Sequence, residues 1–238
     1  MSNMVIDTLW DDNPIDVSTE VNFIWKIANK LRGTYQSDKY KDVIIPMVII
    51  RRFECALADT KKAVVDTFKK NQNYPAKAMY RISKRQFYNT SEFTLAELVN
   101  DSDHIAANFR NYISGFSANV QDIIKSLDFD KQIEKMDKNN RLLSVVKAFS
   151  ELDLNPVTID NVKMGYIFED LIRRFSENAE AGDHYTGRDI IKLMVNILLA
   201  EGCDDIFDDG KVITVLDQAC GTGGMLSTSY NFIKSYNP

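Results

Sequence analysis

Cysteine, histidine, proline and glycine are all scarce, at 3, 2, 5 and 10 of 238 residues. The three cysteines, Cys55, Cys203 and Cys220, form no CxxC pair, and two histidines add little. Neither a disulfide framework nor a metal site is expected, and the cysteines read as free thiols. Long apolar runs are missing too. The longest, Val43 to Ile50, contains Pro46 and falls far short of the roughly 20 residues of a spanning helix. No amino-terminal stretch has the charged-then-apolar form of a signal peptide, so a cytoplasmic protein is expected. What is present, 45% hydrophobic and 26% charged residues, excludes a disordered tail and suits one large domain or two smaller ones.

The net charge of -5 conceals an uneven distribution: residues 21–90 hold 15 Lys and Arg against five acids, and the remainder 14 against 29. Such a segment can neutralise phosphate backbone, or it can be a solvated face that docks on an acidic partner. Charge alone favours the second. Between Asn73 and Asn89 the aromatics Tyr74, Tyr80, Phe87 and Tyr88 interleave with Lys77, Arg81, Lys84 and Arg85. That composition could stack on bases, but in a helical protein it is more often the rim of a core.

The pattern from Thr19 to about Glu177 is helical, with apolar residues at three- and four-residue steps. Val21, Ile24, Trp25, Ala28 and Leu31 form one stripe, ended by Gly33. Asp42 opens a long helix with Pro46 near its first turn, continuing through Val64 to a linker at Lys69–Pro75. Thr94 and Glu97 have capping-box spacing, with Phe93 and Leu98 placed for a hydrophobic staple. Amphipathic segments follow at 103–115, closed by a glycine suited to the left-handed cap, and at 117–127 and 130–152. Asp160 starts a helix whose apolar members are Val162, Tyr166, Phe168, Leu171, Ile172 and Phe175. The polar, small residues 176–183 read as a linker. The expected domains are therefore a helical one at 1–178 and a different one at 179–238.

Past the linker, Thr186 is the expected N-cap of a helix running to Ala200. Val212 to Leu216 then reads as a buried strand, and Asp217-Gln218-Ala219-Cys220-Gly221-Thr222-Gly223-Gly224 as a loop that enters a helix at Met225. A strand, a glycine loop and a helix open a doubly wound sheet, whose ligands bind at the carboxyl end of the strand. Gly221 and Gly223 lack the Cβ that would hold a ligand off the backbone, and the helix start offers free N–H groups. A triphosphate loop needs a lysine where Met225 stands. A dinucleotide fingerprint needs a small residue where Leu226 stands. An acid ending the strand suits the cationic S-adenosylmethionine better than a phosphate. The fold class expected is mainly α: an amino-terminal helical bundle, then the opening of an α/β Rossmann-like domain (helix, first strand, helix).

The segment Asp217 to Leu226 resembles the first cofactor motif of the modification subunit of type I restriction-modification systems, of the N-6 adenine DNA methylase family, usually Asp-Pro-Ala-Cys/Ala-Gly-Thr-Gly-Gly. Its upstream companions match in order: Gly165 and Phe168-Glu169-Asp170-Leu171-Ile172, then Gly182-Asp183-His184-Tyr185-Thr186-Gly187-Arg188. A third match, Ile24 to Gly33 and Ile45 to Glu54, resembles the family's amino-terminal helical domain. The resemblance implies a site-specific adenine-N6 DNA methyltransferase using S-adenosyl-L-methionine. The cofactor would be lined by Asp183, His184, Tyr185, Thr186, Gly187 and Arg188, by Ala219 and Gly221, and by Thr222, Gly223 and Gly224, with Asp217 beside the methionine moiety. It also implies a specificity subunit as partner and DNA in the assembled complex. Whether a restriction subunit or a second copy joins is left open. Gly187 and Gln218 replace the family's prolines, which would raise the cost of ordering both loops.

Catalysis in this family falls to Asn-Pro-Pro-Phe/Tyr, which works on an adenine extruded from the duplex. The motif is absent here: Asn13-Pro14, Asn155-Pro156 and Asn237-Pro238 are given no catalytic role. A lone parallel-type strand also leaves its sheet unfinished. The reading is therefore of the amino-terminal part of a longer methyltransferase, inactive alone and a weak binder of its cofactor. Two rivals are a non-catalytic helical module that binds a specificity subunit or DNA, and, less favoured because of Leu226, a nicotinamide-binding protein.

Overall fold

The computed structural model describes residues 10–11, 15–177, 186–200, 206, 208, 210–221 and 223–237. The chain divides into two compact units, residues 17–178 and residues 1–16 together with 179–238. Among the described residues no helix is long and apolar enough to cross a membrane.

The first unit is built from α1 (Ser18–Ala28), α2 (Lys41–Leu57), α3 (Lys61–Lys70), α4 (Ala76–Ser83), α5 (Leu95–Leu98), α6 (Ile105–Ser114), α7 (Ala118–Ser126), α8 (Phe129–Lys138), α9 (Leu142–Ser150) and α10 (Asn161–Glu177). Helical spacing puts Val21, Ile24, Ile27, Ala28 and Leu31 on one buried side of α1 and the 3-10 turn after it. Gly33 then takes φ +85°, a conformation that costs glycine little. The centre of the unit holds Phe109, Tyr112, Phe129 and Phe149, all at 1% exposure or less. Each buried aromatic contributes on the order of 2 kcal/mol by area, and ring pairs such as Phe109–Phe129, edge-on at 6.1 Å, add to this.

Local signals are realised where only neighbours in sequence are involved. Thr94 caps α5 with the complete reciprocal box, its side chain accepting from Glu97 N–H while Glu97 accepts from Thr94 N–H at 2.7 Å. Asp160 caps α10 by accepting from Lys163 N–H at 2.7 Å. Elsewhere the structure corrects the sequence reading. The long helix expected from Asp42 is two helices, parted at Ala58–Thr60, and Pro46 lies inside α2, in its second turn. The segment 130–152 is parted into α8 and α9 where Asn140 adopts φ +54°. In α10 the buried positions are Met164, Ile167, Leu171 and Phe175, whereas Val162 faces solvent.

Gly115 is the most informative of these corrections. It ends α6 in an ordinary right-handed conformation, φ -73°, so the left-handed cap is not the reason for glycine. The chain at 88–91 crosses directly over it: Thr90 N–H donates to Gly115 C=O at 2.8 Å and Ser117 N–H to Tyr88 C=O at 3.0 Å. A Cβ at 115 would lie 2.6 Å from Ser91 N and 2.7 Å from Asn89 Oδ1. The requirement is close backbone approach.

The second unit contains α11 (Arg188–Ala200) and α12 (Gly224–Tyr236). Ile191, Val195 and Leu199 of α11 form a small core with Ile206 and Phe232. Trp10 joins it edge-on to Phe232 at 5.4 Å, its N–H donating to Asn196 Oδ1 at 2.7 Å; the sequence reading had kept Trp10 with the first domain. The expected buried strand differs as well. Residues 211–217 have no ladder partner among the described residues, and Val212 and Leu216 are 95% and 78% exposed. A strand exists only through a neighbour's backbone groups, and none is described here.

Candidate functional site

The second unit's two helix starts lie against each other. Ile191 N–H bonds Gly187 C=O at 3.0 Å, which makes Gly187, not Thr186, the residue that precedes the first turn of α11. Gly224, the first residue of α12, packs on that same turn: a Cβ there would come within 2.6 Å of Ile191 Cδ1. This close approach joins the segment Thr186–Arg188 to the glycine turn 217–224. Sequence reasoning missed it, because it looked for the small residue of close packing at Leu226, two positions on.

The glycine turn is shaped by its own backbone. Asp217 Oδ1 accepts from Ala219 N–H at 3.0 Å, and Gly223 N–H donates to Cys220 C=O at 2.7 Å. Gly221 and Gly223 sit at φ +50° and +81°, so a side chain at either position is strained. Among the described residues nothing lies within 4 Å of a Cβ built on Gly223, and only Ala219 O, at 4.0 Å, near one on Gly221. These two glycines therefore do not serve internal packing. They leave a bare turn open to solvent, just ahead of the unused N–H groups of the first turn of α12.

The remaining predicted residues are placed as follows. Thr186 is exposed, Gly187 and Arg188 are half-buried, Asp217 is half-buried and Ala219 exposed. Asp183, His184, Tyr185 and Thr222 lie outside the described residues, as does Cys203. Cys55 is buried and Cys220, in the turn, is exposed. Asp217 Oδ2 has no hydrogen-bond partner among the described residues, which leaves one carboxylate oxygen for a cation. An open glycine turn, a carboxylate with a spare oxygen and a helix N-terminus suit a zwitterionic, positively charged ligand such as S-adenosylmethionine.

The upstream motif has a different part. Asp170 is bound by Arg173 and Arg174, and Arg174 Nη1 donates to Asn22 Oδ1 at 3.1 Å. Lys163 donates to Glu20 at 2.7 Å and Trp25 lies 5.4 Å from Phe175. These contacts dock α10 on α1.

The first unit has a half-open cavity of about 450 Å³ lined by Glu54, Cys55, Lys61, Asn89 and Tyr112 among others. Its charges are satisfied internally. Glu54 accepts from Arg51, from Leu95 N–H at 2.7 Å and from the Tyr112 hydroxyl at 2.9 Å. Lys61 donates to Asn89 Oδ1 at 2.9 Å; burial pushes its ammonium down to about 8, against the pull of Glu54 and Glu97. Burial and Glu54 together push the Tyr112 phenol well above its ordinary range. Arg51 and Arg52 are equally committed: Arg51 Nε donates to Leu152 C=O at 2.6 Å, and Arg52 Nη1 to Leu154 and Ile159 C=O at 2.8 and 2.6 Å. Both arginines tie α2 to the segment before α10, so neither is a free phosphate contact.

Residues 21–149 match the HsdM N-terminal domain, and residues 160–237 match the N-6 DNA Methylase family. The chain belongs to this family of type I restriction enzyme methylase subunits. It is similar to the type I restriction enzyme MjaVII methylase subunit of Methanocaldococcus jannaschii, 26% identical over 79% of this chain and 32% of that one. The EcoEI methylase subunit of Escherichia coli is 25% identical over 59% of this chain and 26% of its own length. The MjaIX methylase subunit of Methanocaldococcus jannaschii is 22% identical over 85% and 38%. The chain thus spans about a third of the length of the curated relatives it matches. The methylase match begins at 160, so α10 counts with the methylase in sequence while it packs in the helical unit.

Proposed function

We propose that the chain is the cofactor-binding, amino-terminal portion of a cytoplasmic adenine-N6 DNA methyltransferase that works with a specificity subunit. The observation that carries this reading is the close approach of Gly224 to Ile191, which sets Thr186–Arg188 beside the turn 217–224. S-adenosylmethionine, when bound, supplies a methyl group activated by its sulfonium. This chain's own residues would bind and orient it. Asp217 would meet the ammonium with the oxygen that Ala219 leaves unused, Gly221 and Gly223 would admit the ligand to the backbone, and the first turn of α12 would hold its carboxylate. Thr186 and Arg188 would close the other side, together with Asp183, His184, Tyr185, Gly187, Thr222 and Gly224. Extruding and holding an adenine falls to groups other than these.

Calorimetry tests the reading. S-adenosylmethionine and S-adenosylhomocysteine should each give saturable heat that Asp217→Ala abolishes, and the purified 238-residue chain should methylate no DNA. Heat from NAD in place of S-adenosylmethionine would overturn it in favour of a dinucleotide site. Absence of heat from both, with the fold intact, would favour a helical interaction module.

A further inference from the structure

We propose that the hairpin formed by α3 and α4 is an arm that lies along the phosphate backbone of duplex DNA. Residues 61–85 contain eight Lys and Arg and a single acid, Asp66. The structure sorts these cations. Lys61 is drawn inward to Asn89, and Lys69 is held by Glu92 at 2.8 Å. The other six, Lys62, Lys70, Lys77, Arg81, Lys84 and Arg85, are exposed, and none has a carboxylate within ion-pair distance among the described residues. α3 packs chiefly on α4, with Val64, Val65 and Met79 buried between them and the unit, so the charged sides of both helices face outward. Lys62 and Lys70 are about 12 Å apart along α3 by helical rise, and Lys77 and Arg81 share one face of α4.

The absence of apolar surface identifies the occupant. Protein interfaces centre on a buried apolar patch and are depleted in lysine. Across 61–90 the one large hydrophobic side chain that is exposed is Tyr74, at 38%, in the loop between the two helices. Solvated cations without an apolar centre fit a polyanion that is held by counterion release. The choice of duplex DNA as that polyanion rests on the proposed function.

The test is fluorescence anisotropy of a 25-base-pair duplex of arbitrary sequence with the 238-residue chain over a salt series. The variant Lys77→Gln/Arg81→Gln/Lys84→Gln/Arg85→Gln should bind at least about tenfold more weakly at 0.1 M salt. Its slope of log affinity against log salt should be shallower by about 3, at roughly 0.9 per lost phosphate contact. Lys26→Gln/Lys30→Gln, on α1 and the turn after it, should leave the slope unchanged, and circular dichroism confirms that each variant is folded. An unchanged slope in the quadruple variant overturns the proposal, as does a chain that ignores the duplex while binding polyglutamate. Duplex binding through the hairpin without S-adenosylmethionine binding would overturn the cofactor reading and leave the arm standing. The reverse result would remove the arm alone.

Discussion

The two units bury their apolar residues very differently. The helical unit encloses one continuous core that runs from Val21 to Phe175, and its exposed large hydrophobics are Tyr74, Ile123, Val157 and Val162. The second unit, with far fewer described residues, exposes Ile190, Leu193, Met194, Ile197, Leu198, Val212, Val215, Leu216 and Tyr230 around a core of five. On α11 those residues recur at positions i, i+3, i+4, i+7 and i+8, opposite the buried stripe Ile191, Val195 and Leu199. A helix apolar on both sides is an element made to be covered on both. The lesson is that the first unit closes its apolar residues among its own helices, whereas the described part of the second leaves much of α11 and of residues 212–216 in solvent.

Hydrogen exchange should show that contrast most strongly. Amides in α2, α6 and α9 should exchange at least about 100-fold more slowly than those in α11 and α12, because opening free energy follows local burial. Equal protection in both units would break the comparison. The next effect in size is steric. Gly115→Ala forces a Cβ onto Ser91 backbone and should cost the helical unit about 2–3 kcal/mol in urea unfolding. Gly224→Ala meets the terminal methyl of Ile191, which can turn aside, and should cost well under that.

The buried lysine sharpens the account of the first unit. Lys61 titrates at about 8 in the fold, against 10.5 for a free lysine. Between these values the unfolded chain holds a proton that the folded chain has released, so stability should rise from pH 8 to 10. The size is up to about 2 kcal/mol. Above pH 10 the tyrosines reverse the sign, since Tyr35, pushed up to about 12, keeps its proton when folded. Lys61→Met should flatten the rise between pH 8 and 10; a variant with the same slope as the parent would contradict the assignment. The smallest effect expected is from Gln218→Pro. Fixing the exposed residue after Asp217 lowers the ordering cost by about 0.4–1 kcal/mol, which should tighten S-adenosylmethionine binding roughly two- to fivefold in calorimetry.

What the sequence made legible follows the range of the forces involved. The Thr94–Glu97 box and the Asp160 cap depend on residues three apart, and both were readable. The breaks at Ala58–Thr60 and at Asn140 escape the sequence reading because the apolar period carries across both, although at 140 the cue is there: asparagine tolerates the φ of +54° it adopts. Gly115 read as a cap because glycines after helices usually are, yet its cause is a strand of chain 24 residues upstream in sequence. Charge was the least transparent signal. Arg51 and Arg52 count as positive in any tally of residues 21–90, but their guanidinium groups are spent on backbone carbonyls of 152–159. In the candidate site, the motif order named two segments that the fold brings near each other, while the contact between Gly224 and Ile191 that joins them has no sequence signature.

Amide NMR of the 15N-labelled chain during a titration with S-adenosylmethionine tests the central claim most directly. Gly187, Gly221, Gly223 and Gly224 should shift together along one saturating curve, residues 17–178 should stay still, and Asp217→Ala should erase the curve. Saturating shifts confined to the cavity around Lys61, or none at any glycine of the turn, would contradict it.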